Sequence, residues 1–455
     1  MTQATHRSAE EIGRTEAGPR PLPPLGEPRA LRTPDVVDTE LPNGLRLIAA
    51  RHGVVPMVEA RLRIPFAGED AMHPARAEVL AETVLTGTAA RDRVQVDTDL
   101  AAVGGELHAV VDPERLSFVG SALSSGLGTL LEVLGDALTG AAYAADEVAG
   151  ERDRLVERLA VARSQPRVIA REELQRHRYG DHPFVREVPQ AADVGQVGPE
   201  DVRELHARAV LPRGATLVLV GDIDPDTVVD EVTRILAPWD AAGTAAELPA
   251  LPRLQGGDVR LVHRDGAVQS QLRMSAQGLH RTDERYPALQ IANLSFGGYF
   301  SSRLVENIRE DKGYTYGAHS SFEFTRGNGT ILVDADTASE VTAAALLEMR
   351  YEFGRLALVP PTAAEVESAR QYAIGGLLTS TSSQSGLASM LSTLAACGLD
   401  HRWLSAHPDR LREVTAEQVA EAAQLYAPTS FTGVVVGDAA KIGDQLRALG
   451  GVVLP

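Results

Sequence analysis

The stretch Thr216-Leu-Val-Leu-Val-Gly-Asp222 decides the fold of this chain, because it recurs near the other end as Val434-Val-Val-Gly-Asp438. An apolar run followed by Gly-Asp is typical of a buried strand that ends in a turn. Each copy follows a pattern typical of a helix, over Pro199 to Val210 in the first case and Thr415 to Tyr426 in the second. The same helix–strand unit is therefore present twice.

A second match lies upstream of each copy. Asp146-Glu-Val148 corresponds to Ala364-Glu-Val366 at nearly the same offset that separates Gly221 from Gly437. Two matches in the same order at nearly one offset are hard to obtain by chance in this composition. The sequence therefore predicts a duplicated domain.

Within each half, short strand patterns and long helix patterns are mixed without strict alternation. Hairpin-like pairs occur, such as Leu45–Ala50 followed by Met57–Ile64, where apolar residues alternate along the second member. This mixture predicts the α+β class, with two duplicated domains, each a mainly antiparallel sheet packed with helices. Two helix starts have the spacing of a capping box, Thr362 with Glu365 and Thr415 with Gln418.

Proline and glycine mark the boundaries between these parts. The first residues carry five closely spaced prolines and little apolar surface, which favours a flexible arm. A second cluster of proline, glycine and alanine is typical of an interdomain linker. The predicted organisation is an arm over 1–35, an N-terminal domain over 36–240, a linker over 241–257 and a C-terminal domain over 258–455.

Bulk composition excludes several classes of protein. The net charge of −18 argues against a nucleic-acid-binding protein, which needs a basic face. No run of about 18 apolar residues exists, so we expect no membrane span. The single cysteine, Cys397, excludes an internal disulfide and fits a reducing compartment. With no targeting segment visible, the expected location is cytoplasmic.

The most specific motif is Gly297–Gly317, which reads G-G-Y-F-S-S-R-L-V-E-N-I-R-E-D-K-G-Y-T-Y-G. The pattern predicts a helix over Ser301–Asp311 and a left-handed cap at Gly313. A strand follows from Tyr314 to Phe324. Arg309 is thereby expected at a helix end and Tyr316 at a strand start, on either side of a tight turn.

This motif resembles the second-half signature of the insulinase/pitrilysin family of zinc peptidases, and the resemblance extends over about residues 36–455. In that family an Arg and a Tyr seven residues later hold the substrate backbone, which implies a substrate-binding role for Arg309 and Tyr316. Gly297 and Gly298 form the loop before the pair and permit close backbone approach. Without the resemblance, Arg309 would be a surface residue paired with Glu310 or Glu306, and Tyr316 would pack in a sheet.

The zinc signature of the same family is missing. Neither H-x-x-E-H nor H-E-x-x-H occurs in the chain. Aligned on Gly87-Thr88, the two histidine positions are Glu78 and Glu82, and the catalytic glutamate position is Ala81. The third ligand position falls on Arg158, or on Glu157 if the alignment slips by one residue. We therefore expect no metal site and no zinc catalysis in this chain alone.

These features together predict a non-catalytic, substrate-binding subunit of a heterodimeric zinc metallopeptidase. The resemblance implies a partner chain of the same family that supplies H-x-x-E-H and the zinc. The substrate would be an unfolded peptide, such as a precursor or leader peptide, taken as an added strand at a sheet edge. Two alternatives stay open: a structural or peptide-binding protein of the same fold with no peptidase role, and a hydrolase with an unrecognised site.

Overall fold

Two six-stranded sheets form the framework of residues 34–455, the part of the chain that the computed structural model describes. The predicted N-terminal arm, apart from its last two residues, lies outside these residues. The first sheet contains β1 Val36–Glu40, β2 Arg46–Arg51, β3 Met57–Pro65, β4 Glu106–Asp112, β5 Arg115–Leu123 and β6 Thr216–Gly221. The second contains β7 Val259–His263, β8 Gln269–Gln277, β9 Thr315–Thr325, β10 Asn328–Ala338, β11 Phe431–Gly437 and β12 Val452–Val453.

Five strands have the same order in the two sheets, and the sixth, an outer strand, differs: β1 is antiparallel to its neighbour and β12 is parallel. The first runs β1-β2-β6-β3-β5-β4 and the second β12-β7-β11-β8-β10-β9. The repeated strands β6 and β11 occupy equivalent positions, each parallel to one neighbour and antiparallel to the other. The remaining pairs are antiparallel except β7 with β12. The predicted fold class, two duplicated α+β domains with mainly antiparallel sheets, is confirmed.

The helices also repeat in order. In the first half they are α1 His73–Thr83, α2 Arg93–Ala102, α3 Leu127–Gly140, α4 Ala145–Ala162, α5 Pro166–Tyr179, α6 Ala191–Val194, α7 Pro199–Ala209 and α8 Pro225–Leu236. In the second half they are α9 Tyr286–Asn293, α10 Arg303–Val305, α11 Thr342–Leu358, α12 Ala363–Ser380, α13 Gln384–Ala396, α14 Trp403–Glu413, α15 Ala416–Ala423 and α16 Ala439–Ala448. None of the helices within residues 34–455 combines the length and apolarity needed to cross a membrane.

Local patterns account for several of these elements. The alternating apolar residues of β3, Val58 through Ile64, are all buried in the first core, as the pattern predicts. Both predicted capping boxes form: the hydroxyls of Thr362 and Thr415 accept hydrogen bonds from the main-chain N–H groups three residues later. Each satisfies a donor that a helix start otherwise leaves unpaired.

One feature of the fold does not follow from local patterns. α5, from the first half, packs on β8 and β11 of the second sheet, and α13, from the second half, packs on β3 and β6 of the first. Each half thus covers the back of the other half's sheet. Ile48 and Val218 on the first sheet are buried together with Leu387 and Leu391 of α13. This exchange makes the two halves parts of one packed structure.

The segment between Leu236 and Val259 contains no helix or strand. It is nevertheless anchored to the body of the protein. Leu254 packs with Tyr179 and Phe184 in a small apolar cluster. The His182 ring also bonds to the carbonyl oxygen of Pro249, with 3.1 Å between the two atoms.

Candidate functional site

The positions that the family resemblance assigns to the zinc ligands and the catalytic glutamate, called the degenerate zinc positions below, lie on two helices that pack together. Glu78, Ala81 and Glu82 lie on α1, and Arg158 lies on α4, which packs against it. The guanidinium of Arg158 is 2.5 Å from a carboxylate oxygen of Glu82. Positions chosen from the sequence as the second and third ligand positions are therefore neighbours, although their chemistry is that of an ion pair.

Glu78 has an unusual environment. Burial, followed by the negative charge of Glu82 and against the opposing effect of Arg158, raises the pKa of its carboxyl to about 7. Glu78 is consequently half-protonated near neutral pH. The residues present do not fit a zinc ion, because no imidazole is available, a guanidinium is fixed among the carboxylates, and Ala81 replaces the general base.

One other group in the described residues brings possible metal ligands together: His263, Asp265 and Asp438. Two of its three residues already bond to other groups of the protein. The Nδ1 atom of His263 accepts from the main chain of Ala439, and Asp438 accepts from Ala440 and pairs with Lys441. These contacts cap the start of α16.

The predicted helix of the Gly297–Gly317 motif is irregular. A short α-turn, α10, passes into a π-helical turn over Glu306–Asp311, and another π-turn covers Leu294–Gly298. Gly313 has the predicted left-handed conformation, with φ +65°. π-turns are rare and occur frequently at functional sites. The two π-turns, one on each side of α10, therefore favour a functional role for this segment.

Arg309 lies in the second π-turn. Its guanidinium carbon is 4.9 Å from the centroid of the Phe300 ring, a cation–π arrangement. The nearest carboxylate is that of Glu310, at 3.4 Å. Phe300 is itself 62% exposed. Arg309 and Phe300 therefore present an exposed aromatic ring with a guanidinium group beside it.

Hydrogen bonds to α11 hold the π-turn that carries Arg309. The side-chain amide of Asn307 donates to Glu348 and to the fully buried Glu352, both on α11. Because Asn307 is two residues before Arg309, these bonds fix the backbone that presents the guanidinium.

Tyr316 lies on β9, the edge strand of the second sheet, and is 96% exposed. The pairing of β9 with β10 shifts here, so that Tyr316 and Gly317 together face Asp336. This is a β-bulge, an irregularity that redirects side chains and is frequent beside active sites. No hydrogen bond joins the Tyr316 hydroxyl to another residue of the described chain.

Thr315 holds the bulge in place. Its hydroxyl oxygen accepts from the main-chain N–H of Gly317 at 3.1 Å and donates to the carbonyl oxygen of Asp336 at 2.7 Å. Sequence reasoning missed Thr315, Phe300 and Asn307. Thr315 could have been noticed as a hydroxyl-bearing residue immediately before the tyrosine. The bulge itself could not, because it depends on how β9 pairs with β10.

Gly297 and Gly298 are required for internal packing. A Cβ atom on Gly297 would lie 3.0 Å from Cβ of Ser320, and one on Gly298 would lie 2.9 Å from the amide nitrogen of Asn293. Both glycines therefore let the π-turn approach neighbouring elements closely. Arg303, in the same segment, is buried and paired with Glu365 at 2.6 Å.

Comparisons with known proteins agree with this architecture. An uncharacterized zinc protease of Mycobacterium tuberculosis is 26% identical over 425 residues, covering 91% of this chain and 96% of that protein. A peptidase M16 inactive domain from Pseudomonas fluorescens has the same fold, with a TM-score of 0.81, 20% identity and coverage of 89% and 98%. A protease from Helicobacter pylori superposes with a TM-score of 0.80 at 16% identity, covering 89% of this chain and all of that one.

Two family models match adjacent parts of the chain. The model described as Insulinase (Peptidase family M16) matches residues 77–190, which include the degenerate zinc positions. The model described as Peptidase M16 inactive domain matches residues 196–372, which include the Arg309–Tyr316 motif. Together they cover more than half of the chain, and the chain belongs to the insulinase family, peptidase family M16.

Proposed function

We propose that this chain is the non-catalytic, peptide-holding subunit of a heterodimeric zinc metallopeptidase. A partner chain of the same family supplies the H-x-x-E-H helix and the zinc, and this chain supplies Arg309 and Tyr316. The zinc-protease names of its relatives and the inactive-domain match support the assignment. The cytoplasm remains the location predicted from the sequence.

The observation that carries the proposal is the presentation of Tyr316. A large aromatic side chain that is 96% exposed has almost no packing role in this chain. It is nevertheless held on a β-bulge by specific hydrogen bonds from Thr315. An exposed aromatic group on a fixed backbone is typical of a binding surface.

The chemistry of the pair suits a peptide. The guanidinium of Arg309 is a permanent fork of donors, and the phenol of Tyr316 is a single directed donor. Both can donate to peptide carbonyl oxygens, and to the oxyanion that develops when a partner's zinc-bound water attacks. The free edge of β9 can pair with an extended peptide, which would bring its backbone past the bulge.

The charge at the degenerate site supports the non-catalytic role. The fixed guanidinium of Arg158 pairs with Glu82, where a metallopeptidase needs neutral imidazoles. A dication would meet repulsion from Arg158 and would find no general base at Ala81. Catalysis is therefore assigned to the partner.

The proposal is tested by co-expression with an H-x-x-E-H chain of the same family and by steady-state kinetics of the purified complex on unfolded peptides. Tyr316→Phe removes one hydroxyl and should lower turnover by roughly 10²–10³ if the hydroxyl stabilises the transition state. A rise in KM with unchanged kcat would assign it to substrate holding. Arg309→Ala should reduce kcat/KM as well.

Tyr351→Phe is the matched control, because Tyr351 is also an exposed tyrosine but lies on α11. It should leave the kinetics unchanged. Full activity of both Tyr316→Phe and Arg309→Ala, with normal melting temperatures, would remove the assigned role and favour the scaffold alternative. Activity of the lone chain would favour an independent hydrolase.

A further inference from the structure

A large cleft lies where the two halves and the linker meet. Its volume is about 910 Å³. Neither Arg309, nor Tyr316, nor any of the degenerate zinc positions lines it. It is bordered by the end of β3, the C-terminal end of α13, the β4–β5 and β9–β10 turns, residues 182–184, residues 213–216 and linker residues 243–251. The volume falls within the range of small-molecule sites, roughly 300–1,000 Å³.

Arg63 is the central charged group of this cleft. It projects from the back of β3, and one of its N–H groups donates to the carbonyl oxygen of Ser392 on α13, at 3.0 Å. No carboxylate of residues 34–455 lies within 4 Å of its guanidinium. Burial lowers the pKa of Arg63, and the nearby positive charge of Arg115 lowers it further. A largely buried cation without a carboxylate partner is costly, and its remaining donors need an acceptor.

Besides Arg63, the charged residues of the lining are Arg115, Arg213, Arg326, Glu114 and Glu247. Arg213 also lines the cleft and forms no ion pair with any described residue. Arg115 pairs with Asp112 and with Glu114, and Arg326 pairs with Glu247, so these charges are compensated within the protein. Arg63 is therefore the one half-buried guanidinium of the lining that has no carboxylate partner within residues 34–455, and the exposed Arg213 adds a second positive charge at the rim.

Apolar side chains supply the other walls of the cleft. Phe184 and Phe324 line it, together with Leu248 and Leu251 of the linker. A site with aromatic and aliphatic walls and one convergent cationic group is suited to a small molecule that is apolar along its body and anionic at its end.

We propose that the cleft binds an organic carboxylate, with the carboxylate on the Arg63 guanidinium and the apolar body between Phe184, Phe324 and Leu251. A carboxylate fits the guanidinium fork with two parallel hydrogen bonds. Because the walls come from both halves and the linker, the bound molecule joins them. Occupation of the cleft therefore stabilises the packed arrangement of the two halves.

The test is calorimetric titration of the full 455-residue chain with sodium decanoate, and separately with decyltrimethylammonium and inorganic phosphate. We expect decanoate to bind saturably at one site and the other two not to bind there. Arg63→Met should weaken decanoate binding about tenfold or more, and Arg63→Lys should weaken it less. Arg260→Met, an exposed arginine outside the cleft, is the matched control and should leave binding unchanged.

The single cysteine gives a second readout, because Cys397 lines the same cleft. Decanoate should slow alkylation of Cys397 by N-ethylmaleimide in the unaltered chain, as followed by intact mass, and should not do so in Arg63→Met. Equal binding of decanoate and decyltrimethylammonium would overturn the proposal, as would unchanged binding in Arg63→Met. If that variant fails to fold, the comparison of the two amphiphiles and the Arg63→Lys titration decide the question.

Discussion

At the scale of single residues, the degenerate zinc helix contains a carboxyl group whose protonation is coupled to folding. The pKa of Glu78 is raised from an ordinary 4.5 to about 7, first by burial and then by Glu82. In the unfolded chain the carboxyl ionises at its ordinary pKa. Folding therefore takes up a proton between the two values, so the contribution of Glu78 to stability is present below pH 4.5 and is lost as the pH rises through 7.

Glu78→Gln should remove this pH dependence. At pH 8 the variant should be more stable than the unaltered chain by about 1–3 kcal/mol, because the cost of a buried charge is gone, while near pH 4.5 the two should be similar. Chemical denaturation at both pH values measures the difference. Glu106→Gln, an exposed carboxylate on β4, should have no such effect. Equal differences at both pH values would mean that folding does not shift the pKa of Glu78.

Thr315 offers a second test at this scale, because its hydroxyl holds the bulge that presents Tyr316. Thr315→Val keeps the shape and leaves the Gly317 N–H and the Asp336 carbonyl without their partner, which should cost about 1–3 kcal/mol of unfolding free energy. Thr325→Val on the same strand is the control, since the buried Thr325 hydroxyl has no hydrogen-bond partner in the described residues.

The Thr315→Val prediction extends to activity if the proposed function holds. The reconstituted complex should lose kcat/KM, because Tyr316 is no longer fixed. Unfolding curves and kinetics are measured on the same preparations. Loss of stability without loss of activity would limit Thr315 to a structural role.

At the scale of elements, α1 and α4 bring together the positions that the family resemblance assigns to zinc ligands. The contact between Glu82 and Arg158 shows that side chains at these positions reach one another. Imidazoles four residues apart on one helix face, with a carboxylate from the second helix, are the ligand set that zinc requires.

The unaltered chain should therefore retain no stoichiometric zinc after dialysis. The fourfold variant Glu78→His, Ala81→Glu, Glu82→His and Arg158→Glu should retain about one zinc per chain, measured by elemental analysis. The threefold variant that keeps Arg158 is the control and should bind zinc much more weakly, because the guanidinium opposes the cation. Tight zinc in the unaltered chain would contradict the assignment of these positions.

Much of the element structure could be predicted because its determinants are local. Alternation in β3, the capping boxes at Thr362 and Thr415, and the left-handed Gly313 each depend on a few adjacent residues. The bulge at Tyr316 and the π-turns could not be predicted, because they depend on strand register and on contacts with distant helices. The meeting of Glu82 with Arg158 could be anticipated only through the family resemblance.

At the scale of the whole molecule, the duplication of the two halves extends to individual side-chain hydrogen bonds. Arg61 on β3 donates to the carbonyls of Ala60 and Gly120 and to the Glu59 side chain. Arg273 on β8 makes the same three kinds of bond, to the carbonyls of Leu272 and Ala335 and to the Gln271 side chain. Both arginines lie on the sheet backs that the exchanged helices cover. The sequence repeat predicts the two sheets, but it contains no information on which helix covers which sheet.

The exchange of α5 and α13 leads to a prediction about cooperativity. Arg178 on α5 is buried in the interface with the second sheet, with its side chain 1% exposed. It donates to Glu323 at 2.7 Å and to the hydroxyl of Ser275 at 3.0 Å. Arg167, on the same helix, also pairs across the interface, with Asp336 at 3.0 Å, but its side chain is 78% exposed.

Arg178→Met should destabilise the protein by about 3–5 kcal/mol, because the partly buried Glu323 loses its guanidinium partner and Ser275 loses a donor. Arg167→Met is the matched control and should cost less than about 1 kcal/mol, since solvent screens its ion pair. Because α5 joins the halves, the damage should also separate their unfolding. Calorimetry should show one transition for the unaltered chain and for Arg167→Met, and two for Arg178→Met. A single transition at an unchanged temperature in Arg178→Met would mean that apolar packing alone, through α13 and its contacts with the first sheet, holds the halves together.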